Sequence, residues 1–143
     1  ELSQRHFRLV CQLLEEYRVG PMPGLEEALS ALRRRGIPFG VVSSSWRWYV
    51  ERCLRELDMY EDAAVIVTGS DGLPLKPAPA PYQAAAAGAV LAVEDSGSGV
   101  RSAVAAGLAC AAVYNPDSGA QDLSPARWRL NSLYELPALL DGN

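Results

Sequence analysis

Lysine is almost absent from this chain. Of its 13 basic side chains, twelve are arginine and one is Lys76, set in the proline-rich stretch LPLKPAPAPY at residues 73 to 82. Histidine is just as scarce. His6 stands alone beside an apolar helical stripe, so no second imidazole can join it on a metal, and a structural or surface role suits it better. The three cysteines, Cys11, Cys53 and Cys110, are odd in number, far apart and embedded in apolar helix or strand patterns. Free thiols in a reducing compartment, the cytoplasm, are expected rather than disulfides or metal clusters. No apolar run approaches the roughly 20 residues of a membrane span, and no signal peptide is visible. Clustered positive charge is also lacking. The net charge is −4 and the pI near 5.0, and the one tight basic group, Arg33 to Arg35, falls at a predicted helix C-terminus, where cations complement the helix dipole. A general nucleic-acid or membrane-surface binder needs more than that.

What is present is a core. With 143 residues, 49% of them hydrophobic, the chain can bury one ordinary globular domain. Phe7, Val10, Cys11 and Leu14 repeat at helical spacing within residues 2 to 18, and VGPMPG at 19 to 24 then breaks the helix. Leu25, Ala28, Leu29 and Leu32 resume the helical period until Gly36, well placed as a C-cap. The strand IPFGVVS follows, then a helix over 46 to 58, the strand AAVIV at 63 to 67, the loop carrying Lys76, a short alanine-rich helix near 79 to 87 and the strand AVLAV at 89 to 93. After EDSGSG comes a helix ending at Gly107, the strand ACAAVY at 109 to 114, a turn, and a last helix opened by SLYE, where Ser132 and Glu135 fit a capping box. Continuous apolar strands alternating with helices predict an α/β fold, a parallel sheet covered on both faces. A start inside a helix and without methionine is what a chain beginning partway through a longer protein would show.

Ligands of such sheets gather at the carboxyl ends of the strands. Three polar clusters are predicted there: Ser43, Ser44 and Ser45 after the first strand, Lys76 in the loop beyond the second, and Glu94 and Asp95 after the third. Each has an ordinary alternative. The serines could cap the helix near Trp46, Asp95 or Ser96 could cap the next one, and Trp46, Trp48 and Tyr49 suit packing anchors better than a stacking platform. Taken together, however, a hydroxyl, an ammonium and an adjacent acid pair can bind a phosphate and a hard divalent cation at once. Contact with phosphate and carboxylate together is also a place where a compact ammonium is preferable to a planar guanidinium.

The order Ser, then Lys-Pro, then Glu-Asp resembles the haloacid dehalogenase (HAD) superfamily, above all its small-metabolite phosphatases and β-phosphoglucomutase-like enzymes. The likeness covers residues 20 to 140. PMPGLEEALSALRRRGIPFGVVSSS resembles the run into that family's second motif, LPLKPAPAPY its third, and VLAVEDSGSGVRSAVAAGL its fourth and most specific. The resemblance implies a Rossmann-like fold and assigns roles: Ser43, with Ser44, binds the transferring phosphoryl group, Lys76 bridges phosphate and nucleophile, and Glu94 and Asp95 hold Mg²⁺. It implies a small phosphorylated metabolite as substrate, with no nucleic-acid or membrane partner.

This sequence departs from the family in four places. The first motif, an Asp-x-Asp carrying the nucleophile, is absent, since no aspartate precedes Asp58. Residues 1 to 19 resemble the last helix of a helical cap, and 20 to 143 a core without its first strand. The connection from Lys76 to Asp95 is short, and Ala80 and Leu75 replace a usual Asp and Gly. The expectation is a Mg²⁺-dependent phosphatase in the intact protein, inactive as residues 1 to 143 alone. A phosphomutase using the same residues, or a noncatalytic phosphate-binding fragment, are the alternatives. A response-regulator receiver fits less well, because its acids come first in the chain.

Overall fold

The structure is a computed structural model and describes residues 2–142. Among the described residues, six α-helices and five strands form an α/β arrangement: α1 (Leu2–Glu16), α2 (Leu25–Arg35), β1 (Phe39–Val42), α3 (Arg47–Glu56), β2 (Ala63–Val67), α4 (Ala80–Ala85), β3 (Leu91–Glu94), α5 (Gly97–Ala105), β4 (Ala109–Val113), β5 (Trp128–Leu130) and α6 (Leu136–Asp141). All strand pairs are parallel, as the apolar runs predict. They form two sheets, β1-β2 and β3-β4-β5, and among the described residues no ladder of backbone hydrogen bonds joins β1 to β3.

Strand β4 shows why its sequence is small and apolar throughout. Ala111 and Val113 enter one cluster with Ala28, Leu130, Leu133 and Leu136. Cys110 and Ala112 enter the other with Tyr82, Ala92, Val100 and Ala103. Successive side chains of a strand point to opposite faces, so both faces of this sheet are core. Helices α2 and α6 cover the first face, while α4 and α5 cover the second. Val42 of β1 packs against the second cluster, so apolar contact bridges the two sheets where backbone pairing does not.

Gly36 closes α2 in the left-handed region at φ 62°, with its N–H donated to Arg33 and that of Ile37 donated to Leu32. Helix α1 lies along α3 in the same direction. Arg52 of α3 donates to the carbonyls of Leu14 (2.7 Å) and Tyr17 (3.0 Å) at one end, and Phe7 meets Trp46 edge-on at 4.9 Å at the other. No described helix is long and apolar enough to cross a membrane.

Some sequence expectations are corrected. The capping box at Ser132 does not form: the segment opens with a tight 3-10 turn over Leu133–Glu135, Ser132 makes no side-chain cap, and Glu135 instead accepts from Asn131. Strand β3 begins at Leu91, two residues late, leaving Val90 exposed. Strand β5 was not anticipated, because three residues containing an arginine carry no recognisable run. Trp46 and Trp48, each more than a third exposed, do pack at the start of α3 as expected, Trp46 edge-on to Phe7 and stacked with Trp48, but they stay outside both core clusters.

The cysteines are all free, and Cys110 is buried. Loss of solvation, reinforced by the nearby Glu94 charge and opposed by Lys76, pushes its thiol up to about 11 from 9.0. Below pH 9 the group is protonated in both folded and unfolded chains. Between about 9 and 11 only the unfolded chain releases the proton, so stability falls as pH rises through that window. At about pH 8 a thiol reagent should label Cys11 and Cys53 in the folded protein and spare Cys110 until denaturant is added. Equal labelling of all three, read by peptide mass, would contradict this burial.

Candidate functional site

Strand β1 ends at Val42 and Ser43 follows, its N–H donated to Val67 at the end of β2 (2.9 Å). The Ser43 hydroxyl accepts from the N–H of Ser45 (3.1 Å), which fixes its lone pair and leaves its proton to donate elsewhere. The serines do not cap α3. That helix has Trp46 at its N-cap with no side-chain bond, and its first N–H, from Arg47, goes to Ser70 Oγ (3.1 Å). Ser44 is exposed, and its carbonyl lies so close to Gly69 that a Cβ there would overlap it.

Lys76 supplies the junction. Its ammonium donates to the Val42 carbonyl at the end of β1 (2.8 Å) and forms a hydrogen-bonded ion pair with Glu94 Oε1 at the end of β3. The side chains are only 10% and 6% exposed, which makes this the most buried ion pair among the described residues. Tyr82 donates to the same Glu94 oxygen (2.6 Å), and its ring lies 5.2 Å from the ammonium. Burial, followed by the Glu94 carboxylate, holds the Tyr82 hydroxyl far above its ordinary range, so it remains a donor. Gly99 is required on the far side, because a Cβ would sit within the Glu94 carboxylate. The Lys76 loop is fastened from α5, where buried Ser102 donates to the Ala78 carbonyl (2.6 Å).

Asp95 accepts from Asn115 Nδ2 (2.7 Å) and Ser118 Oγ (3.0 Å), both on Oδ2. Ser96, not Asp95, caps α5, accepting from Gly99 N (3.1 Å). Asp95 Oδ1 therefore has no protein donor among the described residues. The two acids are not equivalent: Glu94 faces Lys76, with its Oε2 meeting Ser96 Oγ at 3.4 Å, whereas Asp95 keeps a free oxygen. Among the described residues no three His, Cys, Asp or Glu side chains gather into a cation cage. Magnesium needs no such cage; one or two carboxylates, with phosphate oxygens and water, complete its shell, and an Asp95 with a free oxygen fits that demand.

Through Lys76 the structure brings the ends of β1 and β3 together, and with them Ser43 and Asp95, the residues next to its two contacts. Sequence reasoning missed Tyr82, Ser102, Asn115 and Ser118, as well as the loop at residues 68 to 72 that seats the serines. The polar run TGSDG directly after a strand was the available signal for that loop.

The profile of the family described as haloacid dehalogenase-like hydrolase matches residues 3–113. A Bacillus subtilis protein, YhcW, named provisionally as a phosphatase, is 35% identical over 127 residues, which is 83% of this chain and 58% of YhcW. The crystal structure of CbbY from Rhodobacter sphaeroides, a mutant form in complex with xylulose-(1,5)-bisphosphate, superposes with a TM-score of 0.77 at 27% identity, covering 87% of this chain and 60% of that one. A HAD-family hydrolase from Deinococcus radiodurans with bound phosphate and sodium gives 0.74 at 32% identity, with 84% and 58% covered. The chain thus spans less than two thirds of each relative's length.

Glu94→Gln should strand the Lys76 charge in a buried site and cost about 3–5 kcal/mol of stability. Tyr82→Phe, which removes one hydrogen bond to a charged group, should cost about 1.5–3 kcal/mol. Urea unfolding of the folded protein measures both, and a Glu94→Gln loss below about 1 kcal/mol would show that the pair is not held as described.

Proposed function

The chain belongs to the haloacid dehalogenase-like hydrolase family, and on that premise we propose that the intact protein is a Mg²⁺-dependent phosphatase of a small phosphorylated metabolite. The observation that carries the reading is the placement of Lys76: a single ammonium, buried between a strand-end carbonyl and a carboxylate, one residue from Ser43 on one side and from Asp95 on the other.

In this reading the Ser43 hydroxyl donates to a phosphoryl oxygen and Lys76 balances the phosphate charge while holding its carboxylate partner. Asp95, through its free Oδ1, would hold the cation with Glu94 as the second acid, and the cation when bound neutralises phosphate charge. Asn115 and Ser118 keep the Asp95 carboxylate oriented for that purpose. The nucleophile, an aspartate that takes the phosphoryl group as its ester bond breaks and later yields it to water, is proposed to lie outside these residues. We place it on a strand ending in Asp-x-Asp and seated between β1 and β3. Support comes from the division of the sheet there, and from the residues of β1, none of which is buried, whereas four of the five residues of β4 are. Helix α1 would then be the last helix of a cap.

In the intact protein, Ser43→Ala should lower turnover of a phosphate ester about ten- to a hundredfold, the worth of one hydrogen bond to a charged group in the transition state. Lys76→Ala and Lys76→Arg should both fail, the second because a planar fork cannot occupy the point-charge site. Phosphate release followed colorimetrically checks this, and near-normal turnover by Lys76→Ala would refute the assignment. Residues 1 to 143 expressed alone should release no phosphate.

A further inference from the structure

We infer that Arg47 and Asp71 are positioning residues that set the phosphate-binding serines through the loop after β2. The inference rests on the phosphatase reading for its ligand but on separate residues for its geometry. Arg47 Nη2 donates to both Asp71 oxygens (2.8 Å each) and to the carbonyl of Ile66 in β2 (3.1 Å). Asp71 in turn accepts from Thr68 N (2.8 Å), which curls the loop back on its own strand. The curl delivers Gly69, whose N–H is donated to Ser45 O (2.9 Å) and whose bare Cα abuts the Ser44 carbonyl. It also delivers Ser70, which accepts the first N–H of α3.

The serine loop is therefore gripped from outside at Ser43, Ser44, Ser45 and Arg47 by three residues, Val67, Gly69 and Ser70, and the Arg47–Asp71 pair closes that grip. The pair is partly exposed, 40% and 26%, so as a bare surface ion pair its effect on stability is small. A forked contact from one guanidinium to a carboxylate and a strand carbonyl fixes geometry rather than supplying energy. A serine hydroxyl displaced by a fraction of its bond length from a phosphoryl oxygen loses much of its effect.

The test uses the intact protein, p-nitrophenyl phosphate for turnover and inorganic phosphate for calorimetric binding. Asp71→Asn and Arg47→Gln should each lower kcat/KM about ten- to a hundredfold and weaken phosphate binding, and the double variant should be no worse than the poorer single one, as one unit requires. Arg47→Lys should restore only part, since it keeps the charge and loses the fork. In a Ser43→Ala background, Asp71→Asn should change phosphate binding by less than about threefold. A lower melting temperature with unchanged kcat/KM and phosphate affinity would overturn the inference, as would full additivity with Ser43→Ala. Phosphate binding that weakens in Asp71→Asn, in a protein that hydrolyses no ester, would uphold the clasp and sink the hydrolase reading. A parent protein that binds no phosphate would overturn both.

Discussion

The Lys76 ammonium is the contact on which the arrangement depends, because it alone among the described side chains donates to the ends of both sheets. Its bonds to the Val42 carbonyl and the Glu94 carboxylate join strand ends that share no backbone ladder. Burying an ammonium and a carboxylate is costly, and close geometry with further hydrogen bonds is what offsets it. Tyr82 and the lack of a side chain at Gly99, which lets the Glu94 carboxylate in, provide that geometry. In a chain whose other twelve Lys/Arg positions are all arginine, the exception stands where one buried ammonium meets a carbonyl and a carboxylate, a site that suits a compact point charge better than a planar fork.

Around this contact each neighbouring loop sets one group. The loop after β2 holds the serines, α5 holds the lysine loop through Ser102, and the loop after β4 holds Asp95 through Asn115 and Ser118. Three chain segments far apart in sequence thereby present a hydroxyl, an ammonium and a carboxylate with one free oxygen. The sheets beneath are held by packing on both faces of β4 and by Val42 against the second cluster. Short strands suffice, since only their ends carry chemistry.

Most of this fold was legible because its elements differ in period. The alternation at Leu25, Ala28, Leu29 and Leu32 and the runs AAVIV and ACAAV specify helix and strand by local pattern, and β2 begins and ends where the run does. The candidate site was legible in part for a different reason: Ser43, Glu94 and Asp95 sit at strand ends and Lys76 in the loop beyond another strand, and the carboxyl ends of parallel strands share one edge. What could not be read was partnership. Whether Glu94 turns to a cation or to Lys76 depends on Tyr82 and Gly99, and whether Ser132 caps a helix depends on a 3-10 turn with no periodic signal. The division of the sheet between β1 and β3 was likewise invisible to composition and followed only from the order of the motifs.

The most direct measurement is nitrogen NMR of the intact protein labelled at lysine, with the Lys76 ammonium signal assigned by its loss in Lys76→Arg. Addition of inorganic phosphate with Mg²⁺ should shift that signal saturably if, as proposed, the ammonium that joins the two strand ends is also the group that meets phosphate. A Lys76 signal that stays fixed while phosphate binds would contradict the account.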